Sequence, residues 1–171
     1  MPHYRGAGIL FIAATAPRGH QLLLARRKSG IWSIPGGGST RHDADADATA
    51  WRETREEFGH PPQPGQVLFT QRYPFSLFGF DWTTLVVELP AIPDPSLFPS
   101  PHAHDLHREF TEARWFPITR PPKRTHLLLY PILLRLRTRR PPPDKNGTSL
   151  TPELLSHEPT TFSISQRLQL A

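Results

Sequence analysis

Gly36-Gly37-Gly38-Ser39-Thr40-Arg41-His42-Asp43-Ala44-Asp45-Ala46-Asp47-Ala48-Thr49-Ala50-Trp51-Arg52-Glu53-Thr54-Arg55-Glu56-Glu57-Phe58-Gly59 is the stretch whose reading decides the fold of this 171-residue chain. A glycine-rich turn runs into a short helix that stops at Gly59. At about 100° per residue, Glu53, Glu56 and Glu57 share one roughly 100° sector of that helix. Trp51, Phe58, Ala48 and Ala44 fall on the opposite side. The apolar stripe can therefore dock on a core while three carboxylates converge on one patch of solvent. Packed carboxylates repel, and gathering them makes sense around a hard divalent cation. A Glu-rich face is also a common solvated surface, and Arg52 with Glu56 is an i,i+4 pair of the kind such surfaces use. Asp43, Asp45 or Asp47 can cap the helix, since a carboxylate accepts the free N–H groups of the first turn.

The flanks of this helix narrow the reading. Trp32-Ser33-Ile34-Pro35 leads into the glycines, and Gly59 closes the helix at a fixed spacing from them. In this register the chain resembles the Nudix hydrolases, whose signature is G-x5-E-x7-R-E-U-x-E-E-x-G-U, with U a bulky apolar residue. Gly38, Arg52, Glu53, Glu56, Glu57 and Gly59 match it. The first glutamate of the signature falls on Ala44, and the stretch from Pro35 to Arg52 looks one residue longer than in common members. Either Asp43 or Asp45 can take the vacant place. Thr54 and His60 stand where bulky apolar residues are usual. The resemblance is strong over residues 32–60 and loose over the rest of residues 4–138. It implies an α+β fold, a Nudix-type α/β/α sandwich with a mixed, partly curved sheet.

Working outward, residues Gly6 to Ala14 read as a buried strand, Ala16 to Gly19 as a turn and Gln21 to Arg26 as a second strand. Val67 to Tyr73, Thr83 to Leu89 and Thr111 to Phe116 read as further strands. Pro74 to Trp82 is an unusually aromatic loop, and Pro90 to Pro101 a proline-heavy excursion. A helix is expected over Arg124 to Thr138, kinked at Pro131 or beginning near it. The domain spans 1–140, and the Pro/Ser/Thr-rich 141–171 tail has little intrinsic structure.

Composition excludes several classes. With no cysteine, neither a disulfide framework nor a thiolate metal site can form. No apolar run approaches a membrane span, and the N-terminal residues leave no room for a signal peptide; a cytoplasmic protein is expected. The net charge of +5 resides in the C-terminal third. It could attract anionic substrates or nucleic acid, but a solubilising face and tail explain it better. The nine histidines lack the spacing of a zinc site; His102, His104 and His107 cluster in a loop with no fourth ligand.

Chemistry follows from the carboxylates. Magnesium prefers oxygen ligands and keeps several waters, so a few carboxylates plus substrate suffice; Mn²⁺ is an alternative. Glu53, Glu56 and Glu57 supply that set, with a backbone carbonyl of the turn, at Gly37 or Gly38, as a further ligand. Arg52 would hold the carboxylates in place through charge-assisted hydrogen bonds. The resemblance assigns these positions the same way. It also implies a further acid shortly before a tryptophan on a later segment. Glu109 and Glu112 both precede Trp115. Glu109 is the preferred metal ligand or general base, and the base stays open among Glu53, Glu109 and Glu112. Arg26 and Arg27 end the second strand and can contact phosphate, though strand alternation sends only one of them to a given face; Lys28, Arg41 and Arg124 are weaker candidates. Trp32, Phe75, Phe78, Phe80 and Trp82 can stack a base or simply pack.

The function expected is divalent-metal-dependent hydrolysis of a phosphoanhydride in a nucleoside diphosphate linked to another moiety or in a nucleoside triphosphate. The alternatives are a Nudix-fold module that senses a nucleotide without cleaving it, and an RNA 5′-end pyrophosphohydrolase. A nucleotide-type small molecule is the partner, nucleic acid is disfavoured, and homodimers are frequent among similar proteins.

Overall fold

The computed structural model describes residues 4–15, 19–62, 65–75, 79–98 and 109–138. The 141–171 tail, Phe78 and the His102, His104 and His107 cluster lie outside them. Alternating burial sets the architecture. On β1 (Tyr4–Thr15), Ala7, Ile9, Phe11 and Ala13 enter one apolar cluster, while Leu10 and Ile12 enter another. The same division recurs on β2 (Gly19–Arg27), with Leu23 and Ala25 against Leu22 and Leu24. Period-two alternation places successive side chains on opposite faces, so this sheet is apolar on both and needs a cover on each.

Each face receives a helix. Helix α1 (Ala46–Phe58) covers the first with Ala50 and Phe58, and α2 (Tyr130–Thr138) covers the second with Ile132, Leu133 and Leu136. Phe58 is fully buried and stacks on Phe98, ring centroids 5.3 Å apart. Truncating a buried Phe of this kind costs about 3–5 kcal/mol.

The sheet between them is mixed and open. Beside β1 run β2, antiparallel, and β6 (Phe80–Leu89), parallel; β5 (Gln66–Phe75) pairs antiparallel with β6. The short β3 (Trp32–Ser33) and β7 (Phe110–Pro117) both pair antiparallel with β2, and β4 (Gly36–Gly38) with β1. Bulges interrupt the β2–β7 pairing between Arg26 and Arg27, and the β5–β6 pairing between Val67 and Phe69.

Three expectations need correction. The glycines of the turn are hydrogen-bonded as strand β4, because Gly36, Gly37 and Gly38 register against Gly8, Ala7 and Gly6. Most of the aromatic stretch from Pro74 to Trp82 is strand, since Phe75 registers with Phe80 and Tyr73 with Trp82 in one hairpin. The core face of α1 consists of Thr49, Ala50, Thr54 and Phe58, whereas Ala44 is exposed and Ala48 only half-buried. Relative to the expected stripe the helix is turned by roughly 95° toward its carboxylates, at about 100° per residue. Thr54 tolerates burial because its hydroxyl donates to the Ala50 carbonyl at 2.7 Å. Pro131 sits at the second position of α2, just after a 3₁₀ turn over Leu127–Leu129. There a missing N–H leaves no helical bond unmade.

Candidate active site

Helix α1 begins where Asp45 caps it, the side chain accepting from the Ala48 N–H at 2.8 Å, and ends at Gly59, whose φ of 77° suits glycine. Its rotation fixes what each carboxylate can do. Glu53 and Glu57 lie at the margin of the packed face and point to the sheet edge at β4. Glu56 lies farther round, 55% exposed, and is held by Arg52 at 3.0 Å. Arg52 Nη1 joins Glu56 to Glu53, which it meets at 2.9 Å, so Glu56 stands beside the other two at the more solvated side of the patch.

Those two line a cavity of about 790 Å³ together with Arg27, Gly36, Gly37, Gly38 and Glu109. Glu57 accepts a hydrogen bond from the Gly36 N–H at 2.7 Å. Burial pushes its carboxyl up to about 8, against that bond and with the Glu109 and Glu53 charges adding to it. Glu53 is also raised by burial, although Arg52 donates to it at 2.9 Å. Gly37 leaves room for that carboxylate: a Cβ there would stand 2.6 Å from it.

Arg52 is the hub of the loop. Its Nε donates to Asp43 Oδ1 at 3.0 Å and its Nη2 to Asp43 Oδ2 at 3.0 Å and to the Gly38 carbonyl at 2.8 Å. Asp43 is only 6% exposed and also accepts from the Thr40 N–H and the Thr49 hydroxyl. The Arg52 guanidinium holds Asp43 well below the usual carboxylate range. Asp43, and not Asp45, thus provides the carboxylate that the signature would put at Ala44. Gly38, expected as a metal ligand through its carbonyl, has that oxygen bonded to Arg52.

Alternation along β2 sorts the two arginines, since Arg27 follows Leu23 and Ala25 on the face that α1 covers and Arg26 follows Leu22 and Leu24 on the other. Arg27 turns to the cavity, where it pairs with Glu109 and lies over the Phe110 ring, 5.3 Å from its centroid. Arg26 turns outward to Glu112 at 3.2 Å, and Glu112 is held again by Arg114. Neither Arg26 nor Glu112 lines the cavity. Trp32 does not line it either: its ring meets Phe116 edge-on at 4.8 Å, while its backbone carbonyl accepts from the His126 N–H. Lys28, Arg41 and Arg124 are likewise outside its lining. The structure thus brings together Arg27, Gly37, Gly38, Glu53, Glu57, Phe80 and Glu109, with Glu56 joined to Glu53 through Arg52, and leaves Arg26, Trp32 and Glu112 apart.

Part of the lining is apolar, and apart from Phe80 and Trp82 it escaped sequence reasoning. Tyr4, Phe80, Trp82, Ile31, Leu128 and Leu129 form it, with His126 beside them. Tyr73 pins the Leu127–Leu129 turn by donating its hydroxyl to the Leu128 carbonyl at 2.6 Å. Burial lowers the His126 pKa, with Arg27 adding to the effect. Tyr4 and His126 carry no local signal; only strand register and chain return place them here.

As they stand, no three acidic, histidine or cysteine side chains among the described residues are close enough to hold one ion. The donor chemistry nevertheless fits a hard divalent cation. Two desolvated carboxylates share the pocket with a third, and the burial that raises Glu53 and Glu57 is the cost a cation would offset.

Fold and site together define a hydrolase of the Nudix class. The family described as NUDIX domain matches residues 3–136, and the chain belongs to it. Among solved structures it is similar to a C. elegans Ap4A hydrolase binary complex, with 18% identity and a TM-score of 0.57, covering 77% of this chain and 94% of that one. It is also similar to a Nudix hydrolase from M. smegmatis, RenU, with 22% identity and a TM-score of 0.58 over 80% and 86% of the two chains. The NUDIX domain of Shewanella oneidensis NrtR, complexed with ADP ribose, matches with 17% identity and a TM-score of 0.52 over 80% and 89%. At these identities the likeness is one of fold. A comparison with curated proteins found no match. No helix among the described residues is long and apolar enough to cross a membrane.

Proposed function

We propose that this protein hydrolyses a phosphoanhydride bond of a nucleotide, either a nucleoside diphosphate linked to another moiety or a nucleoside triphosphate, with Mg²⁺ or Mn²⁺ as cofactor. The observation that carries the reading is the meeting of Glu53, Glu57 and Glu109 with Arg27 along one cavity that Tyr4, Phe80 and Trp82 also line. Glu53, Glu56, Glu57 and the Gly37 carbonyl are the groups that would hold the cation, with Glu109 as a further ligand. When bound, the ion would neutralise phosphate oxygens and lower the pKa of a coordinated water.

The chain's own groups supply the rest. Arg52, fixed by Asp43, keeps Glu53 and the Gly38 backbone in place. Arg27 can exchange its bond to Glu109 for one to a phosphate oxygen. That exchange frees the Glu109 carboxylate, so either Glu109 or Glu53 can accept the proton of the attacking water. The water oxygen bonds to phosphorus, the bridging oxygen leaves with its electron pair, and the product carries one more ionised phosphate. The absence of cysteine suits a cytoplasmic enzyme.

A hydrolysis screen with Mg²⁺ over nucleoside triphosphates, ADP-ribose, dinucleoside polyphosphates and a 5′-triphosphate RNA tests this, with Glu57→Gln as control. Turnover of one class, lost in the control, is the expected result. Saturable binding without turnover of any of them would replace the enzyme by a nucleotide-sensing module.

A further inference from the structure

We propose that Arg124 and Arg26 form a second anion site beside the catalytic cavity, which takes a phosphomonoester carried by the substrate away from the scissile anhydride; this rests on the nucleotide reading above. Both arginines lie outside the lining of the cavity, and they converge on one point. A Cβ at Gly30 would stand 3.1 Å from Arg124 Nη1 and 3.9 Å from Arg26 Nη2, which puts the two nitrogens within about 7 Å of each other. Gly30 sits with a φ of 81° in the turn between β2 and β3, which the Arg27 N–H closes by donating to the Ile31 carbonyl at 2.8 Å. Lacking a side chain, it lets the Arg124 guanidinium lie against that turn.

Charge at this point is out of balance. Arg26 pairs with Glu112 at 3.2 Å, but Glu112 is shared with Arg114 at 2.6 Å. Arg124 makes no ion pair and no side-chain hydrogen bond among the described residues, and residues 113–138 contain no Asp or Glu that could answer it. Three guanidinium groups therefore stand against one carboxylate, an excess of two positive charges. Like charges held this close repel, and an anion between them relieves the repulsion. A phosphomonoester carries a charge of about −1.5 to −2 near pH 7 and three acceptor oxygens, so it matches both the excess charge and the planar donors of two arginines.

The site is reached from the cavity. A smaller hollow of about 340 Å³ lies at Arg124, and Ile31 and His126 line both it and the catalytic cavity. One turn thus carries Arg27 on the cavity side and Gly30 under Arg124. A substrate whose anhydride meets Arg27 passes over Ile31 to bring its far half to Arg124. A substrate without the extra phosphate has no anion left for Arg124 or Arg26 once its anhydride is held.

The test reads binding by calorimetry on the full chain, with Ca²⁺ in place of Mg²⁺ so that turnover does not enter. Two matched pairs serve as probes, NADPH with NADH and coenzyme A with its dephospho form, each pair differing by a single phosphomonoester. The expected result is binding about tenfold or more tighter for the phosphorylated member of at least one pair, the worth of a charged hydrogen bond. Arg124→Ala should bring that ratio near one, and Arg124→Lys should keep part of it. A merely structural role of Arg124 would weaken both members of the pair and leave the ratio standing. Equal binding within both pairs, or a preference that survives Arg124→Ala, would overturn the second site alone. No saturable binding of any of the four probes would overturn the nucleotide reading, and the site with it.

Discussion

Asp43 grips Arg52 at two points, Oδ1 with Nε and Oδ2 with Nη2, both at 3.0 Å, and Arg52 in turn holds Gly38, Glu53 and Glu56. A bidentate pair of this kind fixes orientation as well as charge. Asp43→Asn keeps the shape but loses the charge. Supporting groups behind metal ligands typically contribute 10–100-fold, so turnover should drop by about that much while Asp43→Glu recovers part of it. Steady-state kinetics over a range of Mg²⁺ concentrations decides, because a loop-positioning role raises the Mg²⁺ requirement and a merely structural one does not.

Glu57 has a folded-state pKa of about 8, raised by burial. Between its ordinary value and about 8 the unfolded chain has released this proton and the folded chain keeps it. Stability of the metal-free protein should therefore fall as pH rises through that window. Thermal melts in EDTA from pH 5 to 8.5 measure the slope, and Glu57→Gln should flatten it. The same substitution should lower turnover by orders of magnitude. Asp43 acts with the opposite sign: its lowered pKa makes its contribution vanish as pH falls below the usual carboxylate range.

Glu109 and Glu112 are three residues apart and sit in different surroundings. Glu109 borders the cavity beside Glu57, whereas Glu112 is tied to Arg26 and Arg114 outside it. Glu109→Gln should reduce kcat by about 10²-fold or more, the usual contribution of a positioned base. Glu112→Gln should leave kcat near wild type. Equal effects would contradict the placement of Glu109.

Arg27→Ala should raise KM for a nucleotide about tenfold or more, the worth of a charged hydrogen bond, and Arg26→Ala should not. Among the described residues Arg27 is also the sole Lys or Arg lining the cavity. A terminal phosphate carries a second ionisation that a diesterified one lacks. Relative kcat/KM should therefore favour a diphosphate substituted at both ends over a triphosphate.

The sequence carried the helix, its cap choices, its stop at Gly59 and the identity of the acids, since each depends on local spacing. It did not carry helix rotation. That depended on Thr54, a polar residue that joins the core because it satisfies its hydroxyl on Ala50. Nor did it say which of Arg26 and Arg27 meets the glutamates, since that depends on which face of β2 the helix α1 covers. Trp32, which could stack a base or simply pack, packs on Phe116; Tyr4, which no motif singled out, lies beside Phe80. For the arginines, Trp32 and Tyr4 the deciding partner is distant in the chain, beyond the reach of a periodicity argument.

The parallel pairing of β1 with β6 has one more effect. Cavity-lining residues run from Tyr4 to Leu129, and the wall and floor meet only when strands some seventy-five residues apart have found their register. Contacts of such long sequence separation close late, after the loop entropy between them has been overcome. A chain that has been made only as far as the glutamate helix therefore has the acids without a pocket, since Phe80, Glu109 and Leu129 all follow it.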